Sequence, residues 1–246
     1  MKKTVVTDGF ELMERHQGGF YILSNPSMHQ PLVPASFDAN ILRQRGDIES
    51  RADGRGSAWF IRLGEDSAVL RHYYRGGLMA KISNDSFVWS GIQKSRAFLE
   101  YRLLGWMQQA GLPVPQPLGA LVVRKGWRYQ CDLITRTIPD TCTLADTLAR
   151  ESLPETVWQE LGVVIRQMHD IGVWHADLNA KNILLDSKGA VSLIDFDRCR
   201  RREGEGWKQR NLQRLRRSLD KLMALGQIRH CTAADWQVLL RGYQRK

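Results

Sequence analysis

The pattern of apolar and polar positions predicts a strand-rich first half of the chain. Two runs rich in β-forming residues, 57–64 and 67–74, flank a short polar turn and predict a hairpin. The segment that enters this hairpin, 53–57, is rich in glycine. Residues 119–138 predict two further strands, joined by a turn at Lys125-Gly126.

Apolar residues three or four positions apart predict a series of amphipathic helices. The first spans 94–110, the second begins near Pro154, the third is long and basic, and the last begins at the capping sequence 232–235. A small hairpin, with strands at 183–186 and 190–195, precedes the basic helix. The stripes predicted to be buried are, in chain order, Leu99, Leu103, Trp106, Met107 and Ala110; Val157, Leu161, Val164, Ile165 and Met168; Leu212, Leu215, Leu219 and Leu222; Trp236, Leu239, Leu240 and Tyr243.

This change from strands to helices predicts an α+β fold, with a strand-rich first lobe followed by a helix-rich second lobe. The stretch 139–144 is typical of a linker. We therefore expect an N-terminal extension and the β-rich lobe at 1–138, and the helical lobe at 139–246. Residues 1–45 are broken into short pieces by prolines, and the sequence does not place them.

The charge of the chain favours an anionic partner. Its 36 Lys and Arg against 26 Asp and Glu give a net charge of +10. The excess is concentrated at 198–217, where direct reading finds nine Lys or Arg against two Glu. This stretch predicts docking to an anionic membrane surface, where each engaged cation contributes about 1 kcal/mol. Trp207, within it, is assigned either to the lipid headgroups or to the core.

Other sequence features narrow the class of protein. The four cysteines form no CxxC pair, so we expect neither a zinc site nor a disulfide framework, and a cytoplasmic location is favoured. Acidic residues interrupt any signal-peptide core near the N-terminus, and no apolar run approaches the roughly 20 residues that span a bilayer. No aromatic-interleaved platform or zinc finger is evident, so we expect no nucleic-acid partner.

The candidate chemistry is concentrated where a polar loop precedes a short apolar strand. His175, Asp177 and Asn182 lie in this loop, and Asp195 follows thirteen residues after Asn182. Phosphoryl transfer explains these residue types, because the charge on the transferring group requires a divalent metal with oxygen ligands. Asp195 and Asn182 can supply such oxygens, and Asp177 can accept the proton of an attacking hydroxyl. His175 is expected to brace the loop.

Two motifs carry a family resemblance. The sequence HADLNAKN at 175–182, followed by IDF at 194–196, resembles the catalytic and metal-binding loops of the protein-kinase-like superfamily. More narrowly, these loops together with GRGSAWFI at 54–61 and VLRHYYRGGL at 69–78 resemble the 3-deoxy-D-manno-octulosonic acid (Kdo) kinases of Gram-negative bacteria. The resemblance covers nearly the whole chain.

This resemblance implies a single domain with a bilobal protein-kinase-like fold, in which a small β-rich N-terminal lobe precedes a larger helical lobe. It also implies a peripheral enzyme on the cytoplasmic face of the inner membrane. The implied reaction is ATP-dependent phosphorylation of a Kdo hydroxyl, at position 4, on Kdo-lipid IVA in lipopolysaccharide inner-core synthesis. By position, Asp177 would be the catalytic base, and Asn182 and Asp195 would bind Mg²⁺. Gly54 and Gly56 would lie over the phosphates of ATP.

The nucleotide-binding residues depart from the superfamily pattern. Glu100 would be the helix glutamate of an ion pair whose usual partner is a lysine on the third strand. Arg71 occupies that lysine's position, and Lys81 is the alternative. Asn179 replaces the lysine that protein kinases carry two residues after the catalytic aspartate, which favours a small-molecule or glycolipid acceptor. Asp197 replaces the glycine of the DFG motif.

Other functions are weighed against this one. A catalytically silent, nucleotide-binding scaffold has no chemical need for Asp177, Asn182 and Asp195 together. Nucleic-acid binding is supported only by the net charge. Among active kinases, the alternative is a related enzyme that phosphorylates a core heptose or an aminoglycoside.

Overall fold

The computed structural model describes residues 2–7, 10–26, 28, 30–51, 57–74 and 85–245 of the chain. Contacts between residues divide the chain into two compact units. The first unit comprises Met1–Trp106 and Gln116–Thr137, and the second comprises Met107–Pro115 and Ile138–Lys246. Each unit is described by itself below.

The first unit is built on one antiparallel sheet. Its strands are β1 (Lys2–Thr7), β2 (Phe10–Gln17), β3 (Phe20–Ser24), β4 (Ile48–Arg51), β5 (Ser57–Leu63), β6 (Asp66–His72), β7 (Phe87–Val88), β8 (Pro117–Lys125) and β9 (Arg128–Arg136). They lie in the order β1-β2-β3-β8-β9-β6-β5-β4, and β7 pairs with β9. The predicted hairpins are confirmed as β5–β6 and β8–β9.

The sequence does not place residues 1–45, and the described part of this segment extends and covers the sheet. Strands β1 to β3 join it next to β8, and helix α1 (Ala39–Arg45) follows a 3-10 turn at Pro34–Phe37. Asp38 caps α1, because its Oδ1 accepts hydrogen bonds from the backbone N–H groups of the next turn. Leu32, Phe37 and Leu42 from this segment pack with apolar side chains of the strands. The segment thus completes a hydrophobic core on one face of the sheet.

Helix α2 (Arg96–Gln109) has a different buried face from the predicted one. Leu99, predicted to be buried, is 52% exposed, and Met107 is buried as expected. The largest buried side chains of this helix are aromatic, namely Phe98 and Tyr101. Aromatic rings remove more apolar surface from water than leucine does, so they decide which face of the helix turns inward.

Short strands and helices alternate in the second unit. They are β10 (Thr141–Thr143), α3 (Leu144–Arg150), α4 (Glu155–Asp170), β11 (Val173–Trp174), β12 (Ile183–Asp186), β13 (Val191–Leu193), β14 (Arg200–Arg201), α5 (Gly206–Ala224) and α6 (Ala233–Gln244). β10 pairs with β12, β12 with β13, and β11 with β14, all antiparallel. The stretch 139–144, predicted as a linker, therefore holds a paired strand.

Helices α4, α5 and α6 supply a large part of the core of the second unit. Every residue of the stripes predicted for α4 and α5 is buried, which confirms those two patterns. In α6 the fully buried residues include Val238 and Leu239, whereas Trp236, Leu240 and Tyr243 are half-buried. Gly162 of α4 and Gly242 of α6 let the two backbones approach closely, since a Cβ built at Gly162 would lie 2.1 Å from the carbonyl oxygen of Leu239.

Candidate active site

Asp177 lies in the loop between β11 and β12, where it is exposed to solvent. The following residues form a 3-10 turn, Ala180–Asn182, which Asn179 caps by accepting a hydrogen bond from the backbone N–H of Lys181 at 2.8 Å. The side-chain amide of Asn179 also donates to the backbone carbonyl of Asp177 at 3.0 Å. Asn179 is therefore engaged in shaping the loop that presents the carboxylate.

Hydrogen bonds join the segments that carry the three candidate residues of this unit. The side-chain amide of Asn182 donates to the backbone carbonyl of Asp177 at 2.9 Å. The backbone carbonyl of Asn182 accepts from the N–H of Ile194 at 3.0 Å. Asp195 follows Ile194, at a φ of 62° in the left-handed region, just beyond the end of β13. Asn182 thus links the segment of Asp177 to the segment of Asp195.

His175 braces the same two segments from inside the protein. It is fully buried, and its Nδ1 accepts a hydrogen bond from the backbone N–H of Asp177 at 3.1 Å. Nε2 must then carry the proton, which it donates to the carbonyl oxygen of Ile194 at 3.1 Å. Burial lowers the pKa of His175, so the ring is held neutral. This geometry is that of a structural histidine, as predicted.

Helix α5 supports the loop through three polar residues spaced three and four positions apart: Asn211, Arg214 and Ser218. We call them the α5 polar stripe. Asn211, which is buried, donates its side-chain amide to the carbonyl of His175 at 2.8 Å. Ser218 Oγ accepts from the N–H of Ala180 at 3.3 Å. The helix that buries the leucine stripe therefore also fixes the backbone of the loop.

Arg214 reaches the candidate base itself. Its Nη2 and Nε donate to the same oxygen of Asp177, Oδ1, at 2.6 and 3.2 Å. Both side chains are about half-exposed. Sequence reasoning missed this contact, because Arg214 is one of nine cations in the basic stretch and lies 37 residues from Asp177. The sequence does contain one signal for this contact. Each residue of the α5 polar stripe comes one position before a buried leucine, which indicates that the stripe lies beside the buried face of the helix.

A buried histidine extends the network from α5 to α4 and α6. His169 Nε2 lies 3.1 Å from Asn211 Oδ1, and its Nδ1 lies 2.8 Å from the hydroxyl of Tyr243. Burial lowers the pKa of His169 to about 4. Asn211 therefore joins a neutral histidine of the helical core to the backbone of the loop that carries Asp177. His169 is a packed histidine, as expected.

The donor set around Asn182 and Asp195 fits a magnesium ion. Because the Nδ2 of Asn182 is directed to the carbonyl of Asp177, its Oδ1 is the atom left to act as a ligand. Mg²⁺ is commonly held by one or two carboxylates together with phosphate oxygens, so Asp195 and Asn182 suffice with a nucleotide. Within the described ranges, no group of three or more His, Cys, Asp or Glu side chains is arranged to hold a metal ion by itself.

The first unit contains the other candidate cluster. Arg71 of β6 forms an ion pair with Glu100 of α2 through Nη2 and Oε2, and Glu100 is only 4% exposed. The hydroxyl of Tyr73 donates to the same Oε2 at 2.5 Å. Burial and the charge of Glu100 raise the pKa of Tyr73. The structure therefore pairs Arg71 with Glu100, as the resemblance implies for the residue at the third-strand position.

The first unit also contains a cavity, and three candidate residues of the chain are not described. Gly54, Gly56 and Lys81 are outside the residues that the structure describes. A cavity of about 610 Å³ lies in the first unit, where His72 and Asp132 are among its lining residues. Neighbouring positions on a strand face opposite sides of a sheet, so the cavity and Arg71 occupy opposite faces of β6.

The basic stretch 198–217 is divided between structural and exposed cations. Trp207 is 4% exposed, which assigns it to the core. Arg202 stacks on Trp174, with its guanidinium carbon 4.1 Å from the ring centre. Arg216 pairs with Asp220 at 2.9 Å. Other cations of the stretch are exposed to solvent: Arg198, Arg200, Arg201, Arg210 and Arg217. Among the described residues, no helix is both long enough and apolar enough to span a membrane.

The antiparallel sheet of the first unit and the helical second unit are consistent with a kinase-like phosphotransferase. The model of the lipopolysaccharide kinase (Kdo/WaaP) family matches residues 39–243. The chain belongs to this family, which confirms the predicted α+β, protein-kinase-like class and the predicted family.

Individual relatives agree with the family model. A 3-deoxy-D-manno-octulosonic acid kinase of Photobacterium profundum is 42% identical over 220 residues, which cover 89% of this chain and 93% of the relative. Proteins of the same name from Vibrio vulnificus and Mannheimia succiniciproducens are 40% and 39% identical. They cover 85% and 95% of this chain, and 89% and 99% of their own lengths.

Proposed function

We propose that this kinase transfers phosphate from ATP to the 4-hydroxyl of a Kdo residue on Kdo-lipid IVA. The relatives that match nearly the full chain carry the name of Kdo kinase. The observation that carries the proposal is the bond from Asn182 to the carbonyl of Asp177, together with the bond from Ile194 to Asn182. These bonds support the proposal because they join the segment that carries Asp177 to the segments that carry Asn182 and Asp195.

Asp177 is the base in this proposal. Its carboxylate is exposed, and the loop that carries it is fixed by His175, Asn179 and Asn182. It orients the sugar hydroxyl and takes up its proton as the oxygen attacks the γ-phosphorus of ATP in line with the leaving group. No covalent enzyme intermediate is needed.

The remaining candidate residues bind and neutralise the nucleotide. Asn182 Oδ1 and the carboxylate of Asp195 would hold Mg²⁺, which supplies neutralisation of the charge on the phosphates. Arg71, oriented by its pair with Glu100, is assigned to the phosphates of ATP. An arginine suits this role because its planar fork can bind a carboxylate and a phosphate at once.

The proposal is tested by incubating the purified protein with Mg-ATP and Kdo-lipid IVA and measuring product mass. We expect the mass of one added phosphate, in a product whose fragmentation assigns it to position 4 of Kdo. A heptose-bearing core acceptor and an aminoglycoside run in parallel as competing substrates. Phosphorylation of either of these, with none on Kdo-lipid IVA, contradicts the proposal.

We further propose that the protein acts at the cytoplasmic face of the inner membrane. The support is the exposed cations of the stretch 198–217, since each cation near an anionic lipid surface contributes about 1 kcal/mol. Replacing Arg200, Arg201, Arg210 and Arg217 together by glutamine should raise the KM for acceptor in anionic vesicles. A soluble Kdo acceptor and neutral vesicles are the controls. An equal effect on the soluble acceptor would contradict the membrane proposal.

A further inference from the structure

The contact between Arg214 and Asp177 leaves donors and an acceptor available. Nη2 and Nε of Arg214 both bind Oδ1 of the carboxylate. A guanidinium has five N–H groups, so other N–H groups of this half-exposed side chain remain for a ligand. Among the described residues, no hydrogen bond reaches Oδ2 of Asp177, which is therefore the oxygen open to a sugar hydroxyl.

An acidic acceptor has difficulty in approaching an exposed carboxylate base. Like charges repel, and the repulsion grows as water is displaced from between them. Arg214 neutralises Asp177 and is itself within 2.6 Å of it. Any hydroxyl that hydrogen-bonds to Asp177 therefore brings the rest of its sugar ring close to a guanidinium. Kdo is a sugar acid, whose carboxylate is ionised at neutral pH and suits the planar fork of arginine.

We propose that Arg214 determines specificity for an acidic sugar, by binding the carboxylate of the acceptor while it holds Asp177 Oδ1. This inference rests on the proposed function, because it takes the acceptor to be Kdo. Helix α5 makes the arrangement rigid, since Asn211 and Ser218 anchor the same helix face to the loop. The cation is thus presented from a fixed support.

The test compares two acceptors and three variants. One acceptor is Kdo-lipid IVA, and the other carries the methyl ester of the Kdo carboxylate. The variants are Arg214→Gln, Arg214→Lys and, as a matched control on α6, Arg241→Gln, whose side chain is exposed. kcat and KM are measured for each acceptor, and thermal unfolding shows that each variant is folded.

We expect the wild type to prefer the acid over the ester by at least tenfold in kcat/KM. Arg214→Gln should lose this preference, mainly through a tenfold or greater rise in KM for the acid. Arg214→Lys should retain part of it, because it keeps the charge, and Arg241→Gln should behave as the wild type. If Arg214→Gln does not fold, the lysine variant carries the comparison.

Equal losses on both acceptors in Arg214→Gln, or no loss on either, overturn the inference and leave the proposed function intact. The inference is also overturned if Arg214→Lys keeps the full tenfold preference for the acid with an unchanged KM. That result would mean that the planar guanidinium of Arg214 is not needed to bind the carboxylate. A wild type that phosphorylates only a neutral sugar overturns the proposed function and the inference with it. The two failures are thereby distinguishable.

Discussion

The side-chain amide of Asn182 donates a hydrogen bond to the backbone carbonyl of Asp177 at 2.9 Å. One residue thereby fixes the loop of the proposed base and keeps its own Oδ1 for the metal ion that we propose. Because Asn179 donates to the same carbonyl at 3.0 Å, the chain offers a matched comparison between the two roles.

Replacing Asn182 by alanine should lower kcat by about 100-fold, since it removes a metal ligand and loosens the loop. The half-saturating Mg²⁺ concentration should rise in the same variant. Asn179→Ala removes the other bond to the carbonyl and should lower kcat less, without changing the Mg²⁺ dependence. Steady-state rates over a magnesium titration measure both effects. An identical Mg²⁺ response in the two variants would count against the ligand role of Asn182.

Substitutions in the buried pair of Arg71 and Glu100 should affect the stability of the fold and the affinity for ATP in different ways. Arg71→Met removes the cation that pairs with Glu100, a carboxylate that is only 4% exposed, and should cost roughly 3 kcal/mol in the free energy of unfolding. Replacing both residues by methionine should recover much of this loss, because no buried charge remains. ATP affinity, measured by calorimetry, should remain low in both variants.

The expected result is thus recovered stability without recovered binding. If the double variant binds ATP as the wild type does, Arg71 has no role at the phosphates. Urea unfolding curves supply the stability half of the comparison.

Because α4 and α6 cross closely at Gly162, one added methyl group there should lower the free energy of unfolding strongly. A Cβ at Gly162 would lie 2.1 Å from Leu239 O and 2.6 Å from Tyr243 N, so Gly162→Ala must push the helices apart. We expect a loss of about 3 kcal/mol, at the upper end for overpacking, because the clash is with backbone atoms. Gly206→Ala, where no atom lies within 4 Å of the new Cβ, is the control and should be neutral or slightly stabilising. Equal unfolding midpoints for the two variants would refute the crossing.

The buried His169 predicts that stability falls in mild acid. Its pKa is lowered from 6.5 to about 4 in the folded protein, so the unfolded chain binds the proton more readily. The free energy of unfolding should therefore decrease as pH falls from about 6.5 to about 4, by roughly 3 kcal/mol from this residue. His169→Gln should be less stable at pH 7 and should show a shallower decline. Parallel pH profiles for the two proteins would argue against this origin.

The sequence predicts correctly those helices in which the spacing of the apolar residues is enough to identify the buried face. The leucine stripe of α5 and the stripe of α4 are buried as predicted. In α2 the competition between leucine and aromatic faces is decided by the tertiary packing of the helix, which a local pattern does not contain. The sequence does not place residues 1–45, because the position of β3 depends on its pairing with β8. That strand lies about 100 residues away in the chain.

The same distinction applies to the site. Asp177, Asn182 and Asp195 lie within nineteen residues of one another, so their spacing alone indicates that they can converge. The contact of Arg214 with Asp177 joins two elements 37 residues apart, and nothing in the sequence separates this arginine from its charged neighbours except its place in the α5 polar stripe. A long-range contact made by a common residue type leaves little signal in a single sequence.

The most direct test of the account is the initial rate of phosphate transfer from γ-labelled ATP to Kdo-lipid IVA by Asp177→Asn. The variant keeps the size of the side chain and removes the base. We predict a rate at least about 1,000-fold below that of the wild type, with unchanged ATP affinity and thermal stability. A rate within tenfold of the wild type would contradict the claim that Asp177 takes the proton of the sugar hydroxyl.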